Sequence, residues 1–309
     1  LNPITRFVNL RSINFSGNNL IDDLLPLSEL KMLKRIEGKN TSVRNLSSIQ
    51  EVKSLQHIDL EGSPVNSIKP ILSLPELTYL NVDGAEFFEE EVPEVLIVKP
   101  DLTLIYRTLE LQTWWFEMDV LWKDHFRAQF SFSDAPNTEQ LHRLTSLSSL
   151  TVERVSAEDL APLQVFGNLR QLVVNDAPIT SISHVSGLKL LNSLRLSRLP
   201  VVDFLPISTL SNLEELDVSN TGIEDLEPIA NLMELRKLNL SGTNLKNLKG
   251  LESLYSLEEL DVASTNLRSL KPLGGLSNLR KLVCFNTRLT SRAVDTFKSS
   301  HPNCEVRFY

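Results

Sequence analysis

Five histidines, two cysteines and a surplus of carboxylates are the side chains of this 309-residue chain that could carry chemistry. Proton transfer needs a histidine held beside a carboxylate or a nucleophile, and a metal centre needs several donors converging on one point. His57, His125, His142, His184 and His301 fall in different segments, and none lies in an HExxH, Cys/His or Ser/His/Asp arrangement. Asp59 stands two positions after His57 and could act with it as an acid and base pair, but the alternation around them reads as two polar residues on a strand. No glycine-rich phosphate cradle occurs. Glu37, Asp59, Glu61 and Asp83, with Glu86, Glu89, Glu90, Glu91 and Glu94, are too scattered to surround a calcium ion. The sequence therefore predicts no catalytic residue, no cofactor and no metal. Its candidates are recognition residues of the types that anchor protein interfaces: His57, Asp59 and Tyr79 early in the chain, Arg195 and Arg198 in the middle, and Phe285 near the end.

The elements that must position these residues repeat every 22 residues. Leucines open successive segments at Leu147, Leu169, Leu191, Leu213, Leu235, Leu257 and Leu279, and an earlier run opens at Leu10, Leu33, Leu55 and Leu77. One complete segment carries Leu213, Leu216, Val218, Thr221, Ile223, Leu226, Ile229 and Leu232. Its LxxLxL part predicts a short strand with large apolar side chains on one face, and the PLxxL part predicts a tight turn into a short helical or 3-10 piece. So short a unit cannot bury its own apolar face and must stack on its neighbours. Thr221, Thr243, Thr265 and Thr287 recur where the backbone leaves the strand, so their hydroxyls are expected to satisfy peptide groups there; Ala85, Val155, Ala177 and Leu199 stand at that place in the weaker repeats.

This pattern resembles the leucine-rich repeat family, in the 22-residue subclass shared by internalin-like and phosphatase-regulator-like proteins. It is similar also to a group of bacterial leucine-rich repeat proteins with a tryptophan-rich helix. Internalin-like repeats carry Asn where this chain mostly has Thr, with Asn18 a partial exception. The resemblance implies an α/β solenoid, a horseshoe with a parallel inner sheet, interrupted by a helical segment and capped at the C-terminus. It implies a non-enzymatic scaffold that binds a protein partner through the concave sheet, the alternative being a secreted or surface adhesin that binds a glycan.

The repeats stop and restart. Aligned without a gap, Val92, Val95, Pro100, Leu104 and Tyr106 match Val294, Phe297, Pro302, Val306 and Phe308, which predicts the same cap twice: an amphipathic helix, a Pro-led turn and a last strand. Between them Trp115, Met118, Trp122 and Phe126 fall at helical spacing, so one helical face is expected to lie over the first repeat of the second array, and Asn137 to Leu144 are expected to form a degenerate half repeat. The organisation is thus a first array with its cap at 1–108, a tryptophan-rich insertion or N-terminal cap at 109–143, and a second array with its cap at 144–309. Pro3, Ile4, Phe7 and Leu10 occupy the places of Pro228, Ile229, Leu232 and Leu235, so the chain is expected to begin inside a repeat and to extend upstream.

Charge narrows the partner. Asp and Glu outnumber Lys and Arg 39 to 31, a formal charge of -8, and no extended basic patch points to nucleic acid. No stretch has the apolar length of a membrane helix. Cys284 and Cys304 exclude a dense disulfide framework without excluding an oxidising compartment, so a cytoplasmic or a secreted location turns on what precedes Leu1. On the second array the outward columns Glu215, Lys237, Glu259, Lys281 and Glu214, Arg236, Glu258, Arg280 alternate in sign, which predicts pairing between neighbouring strands.

Overall fold

The computed structural model describes residues 1–87 and 89–309. Its contacts group into two compact units, Leu1–Glu117 with Phe132–Ser146, and Met118–Ser131 with Leu147–Tyr309.

In the first unit β1 (Ser12–Asn14), β2 (Arg35–Glu37), β3 (His57–Asp59), β4 (Tyr79–Asn81) and β5 (Thr103–Ile105) form one parallel sheet in chain order. The middle residues Ile13, Ile36, Ile58, Leu80 and Leu104 stand in direct register, so each strand inserts one large apolar side chain into the stack. The opposite wall is supplied by 3-10 turns at Leu25–Leu27, Ser47–Ile49 and Lys69–Ser73, whose Leu27, Ile49 and Ile71 are fully buried. Proline at the start of two of these turns presets the backbone and removes an N–H that would have no partner. After β4 comes α1 (Glu91–Val98), which buries Val92, Val95 and Leu96 and leads into β5.

All three residues of β5 are buried, because α4 (Thr138–Thr145) packs onto it and α2 (Thr108–Glu117) packs onto α4. Residues 138–145 are thus an α-helix and not the expected half repeat. A capping box explains it: the Asn137 side chain accepts from the Gln140 amide and the Gln140 side chain accepts from the Asn137 amide, each at 2.9 Å, which leaves Leu141 and Leu144 on the buried face.

In the second unit β6 (Ser149–Glu153), β7 (Gln171–Asn175), β8 (Ser193–Ser197), β9 (Glu215–Asp217), β10 (Lys237–Asn239), β11 (Glu259–Asp261), β12 (Lys281–Val283) and β13 (Glu305–Arg307) make an eight-stranded parallel sheet, again in chain order. Before β13 comes α5 (Ser291–Ser300), which buries Val294 and Phe297. At the other end α3 (Val120–Phe130) buries Trp122 and Phe126. The Trp122 indole N–H donates to the Asp159 carbonyl at 3.3 Å, and Phe126 stacks on Phe166. The tryptophan-rich segment is therefore two helices rather than one continuous face. Asp119 starts the second of them by accepting the Leu121 amide at 2.7 Å, and Trp115 packs against Phe132 in the first unit. No helix among the described residues is long and apolar enough to cross a membrane.

Two devices turn the chain where strands of the repeats end. The threonine hydroxyls donate to the carbonyl three residues back, Thr221 to Val218, Thr243 to Leu240, Thr265 to Val262 and Thr287 to Cys284, at 2.6 to 2.9 Å. The residue just before that position is left-handed: Gly17, Asn40, Gly62 and Gly84 in the first unit, then Arg154, Asp176, Arg198, Asn220, Gly242, Ser264 and Asn286 in the second.

Candidate functional site

Because side chains alternate along a strand, the residues flanking each buried leucine or isoleucine form the open face of the sheet. In the first unit His57 and Tyr79 are neighbours across β3 and β4 and stack flat, ring centres 4.1 Å apart and planes 4° from parallel. Burial lowers the basicity of His57, assisted by Arg35, and burial raises the Tyr79 hydroxyl, reinforced by the charges of Asp59 and Glu139. Asp59 sits beside them, almost covered, with Lys39 at 3.1 Å; the same ammonium holds Glu61 at 2.7 Å and is pushed well above its usual range by the two carboxylates. The three candidates of this unit thus share one patch, but His57 and Asp59 are not hydrogen-bonded to one another.

The second face is electrically self-compensating, as the alternating columns predict. Lys237 meets Glu215 at 2.6 Å, Lys281 meets Glu259 at 3.0 Å and Arg236 meets Glu258 at 2.7 Å. Beside the Glu215, Lys237, Glu259 and Lys281 column lies an open groove of about 250 Å³, lined also by Asp217, Asn239 and Asp261. Arg195 reaches across to Asp217 at 3.3 Å, and burial raises the Asp261 carboxyl above its ordinary range. Arg198 lies past the end of β8, at the left-handed position, where its guanidinium forks onto both oxygens of Asp176 and lowers that carboxyl. Phe285 stands two residues beyond β12 and is 43% exposed. Arg195 and Phe285 are four strands apart, roughly 19 Å, so a single small ligand does not span them.

The remaining histidines are held by packing. His142 is buried, His125 meets the rings of both Trp122 and Phe126 edge to face, and His301 stacks on Phe297. His184 lies 3.4 Å from the neighbouring Ser183 hydroxyl. Among the described residues no histidine hydrogen-bonds a carboxylate, and no group of three His, Cys, Asp or Glu side chains could hold a metal ion. Burial pushes both thiols, Cys284 and Cys304, up to about 11, which makes them poor nucleophiles.

A second pocket, which the sequence did not predict, opens on the first unit. It measures about 460 Å³ and lies where the N-terminus of α4 meets the sheet face, so that Asn137, Thr138 and Glu139 confront Tyr79, Asn81 and Ile105. A signal for it was present in the Asn137-x-x-Gln140 capping box, which marks a helix start.

A model of leucine-rich repeats in two copies matches residues 211–253. No curated protein matches the sequence. Among solved structures, an internalin (InlF) from Listeria monocytogenes is 22% identical, with a TM-score of 0.52 over 99% of this chain and 82% of its own. A leucine-rich repeat protein of Leptospira interrogans is 18% identical, with a TM-score of 0.50 over 100% of this chain and 92% of its own. With one parallel strand per 22-residue segment and 3-10 turns behind the sheet, the chain has the leucine-rich repeat solenoid fold that these structures share.

Proposed function

We propose that this chain is a non-enzymatic scaffold that binds a protein partner through the polar inner faces of its sheets. His57, Asp59 and Tyr79 are the contacts on the first unit, and Arg195, Arg198 and Phe285 those on the second. Segment 109–143 serves as capping structure. The observation that carries this reading is the state of the face residues: most are polar, and Lys237, Arg195, His57 and Tyr79 are held by neighbours on adjacent strands, which presents a preformed surface. The histidines support it from the other side, since each is engaged in packing or turn structure and none is poised for proton transfer.

Partner capture by the whole chain, repeated with Tyr79→Ala, Arg195→Ala and Phe285→Ala, tests the reading. Anchors of this kind should each weaken binding by about 1 kcal/mol or more. Lys53→Ala, on the outer turns, should leave it unchanged. Circular dichroism establishes that each variant is folded. Binding that follows the outer turns and ignores all three inner positions would sink the proposal.

A further inference from the structure

The two inner faces differ in charge balance, and the difference selects a ligand. The groove of the second unit has cations and anions interleaved: Arg195, Lys237 and Lys281 stand among Glu215, Asp217, Glu259 and Asp261. The pocket of the first unit is lined by three carboxylates, Glu61, Asp83 and Glu139, and by no lysine, arginine or histidine among the described residues. Cations outside the lining reach two of these carboxylates, Glu61 and Glu139. Lys39 is shared between Asp59 and Glu61, Arg107 faces Glu110 at 3.4 Å, and Arg143 gives its Nε–H to Thr103 at 3.1 Å while its Nη2 stands 4.0 Å from Glu139.

The pocket also has a shaped wall. Tyr79 is packed flat against His57, so the ring is held as a fixed plane beside the cavity, and Ile105 supplies an apolar patch nearby. Asp83 is fixed by the Thr108 amide, which it accepts at 3.0 Å. On the far side the capping box holds Asn137 and so sets the first turn of α4, from which Glu139 projects. A planar cation has what it needs here: a ring to lie on and carboxylates to accept its N–H groups.

We propose that this pocket is an interaction site for an arginine side chain presented by an extended segment of the protein partner; this rests on the scaffold reading and names the partner's chemistry. The guanidinium lies against Tyr79 and donates to Asp83 and Glu139, with Glu61 at the rim. Arginine fits better than lysine because an ammonium has no plane to set on the ring and cannot fork onto two carboxylates.

Acetyl-glycyl-arginyl-glycine amide is the probe, titrated into the whole ¹⁵N-labelled chain at low salt. Amide shifts should concentrate at Asn81, Asp83, Thr108 and Thr138. The citrulline peptide, neutral but of the same shape, should bind at least about ten-fold more weakly, and the lysine peptide should fall between the two. The isosteric triple variant Glu61→Gln, Asp83→Asn, Glu139→Gln should lose binding to the citrulline level while its remaining spectrum stays unchanged, since the amide introduced by Asp83→Asn keeps an oxygen for the Thr108 N–H. Equal binding of the citrulline peptide, shifts spread over the second unit, or a triple variant that binds as before would each overturn the site. A silent pocket in a chain that still captures a protein partner through Arg195 and Phe285 would end this inference and leave the scaffold reading standing.

Discussion

Thr243 is 3% exposed and its hydroxyl has one job, closing the turn onto the Leu240 carbonyl at 2.7 Å. Thr243→Val keeps the shape and removes the donor, so it should lower stability by about 1 kcal/mol, read as a drop in the urea midpoint without a change in slope. One residue earlier, Gly242 has φ +69, and a Cβ there would press into the Asn220 side-chain oxygen of the preceding repeat. Gly242→Ala should therefore cost more than the threonine change, since about 1 to 2 kcal/mol of left-handed strain adds to the clash. Equal midpoints for the two variants would refute that ordering. The threonine column was legible because one residue type recurs at one spacing. The left-handed column was not, because Gly, Asn, Ser, Asp and Arg all occupy it. What they share is a backbone angle, and Arg154 and Arg198 give no compositional hint of one.

At the scale of elements the repeats were readable, since burial imposes a 22-residue period on leucine whatever the surface residues are. What escaped was the order within the interruption. Helical spacing continues from Trp115 through Met118 to Trp122, and only Asp119 shows that one helix ends and another begins. The arginine pocket was hidden for the same reason, since α4 comes to the sheet from more than fifty residues beyond Tyr79 in the sequence. The attachment of α4 gives a pH prediction. His142 is 2% exposed, donates from Nδ1 to the Thr138 carbonyl at 2.8 Å, and accepts the Tyr106 amide on Nε2 at 3.3 Å, with the Arg107 amide at 3.5 Å. A proton on Nε2 would face those amides. Burial is the main cause that holds this imidazole below its ordinary value of 6.5; Arg107 acts in the same direction, while the Thr138 bond and Asp83 oppose. The folded chain then binds fewer protons than the unfolded chain, so this stability is complete above about pH 6.5 and is lost as the pH falls from there toward the lowered value. Burial shifts His57 and His125 in the same sense. Urea midpoints should therefore fall between pH 7.5 and pH 5.5, and His142→Gln should flatten that dependence without abolishing it. An identical dependence in the variant would show that the imidazole titrates outside this contact.

At the scale of the whole repeat array, two periods are superimposed on the second unit: apolar residues repeat every 22 positions, and surface charge alternates so that its pattern returns only after two repeats. Deleting residues 235–256 removes one repeat and brings β9 against β11. Every leucine remains in register, yet Glu215 then faces Glu259, Glu214 comes beside Glu258, and Asp217 faces Asp261. Deleting residues 235–278 removes two repeats and sets Glu215 against Lys281 and Glu214 beside Arg280, with Val283 opposite Asp217. If stability followed the number of stacked repeats alone, the shorter protein would be the weaker. If cross-strand charge is felt, the single deletion should fall below that trend and recover in 0.5 M salt, because screening relieves three like-charged contacts. The double deletion should respond to salt as the parent does. Urea titrations of the three chains at low and high salt decide the matter: a parallel response in all three would mean that the alternating columns contribute to the character of the surface and not to the specification of the stack.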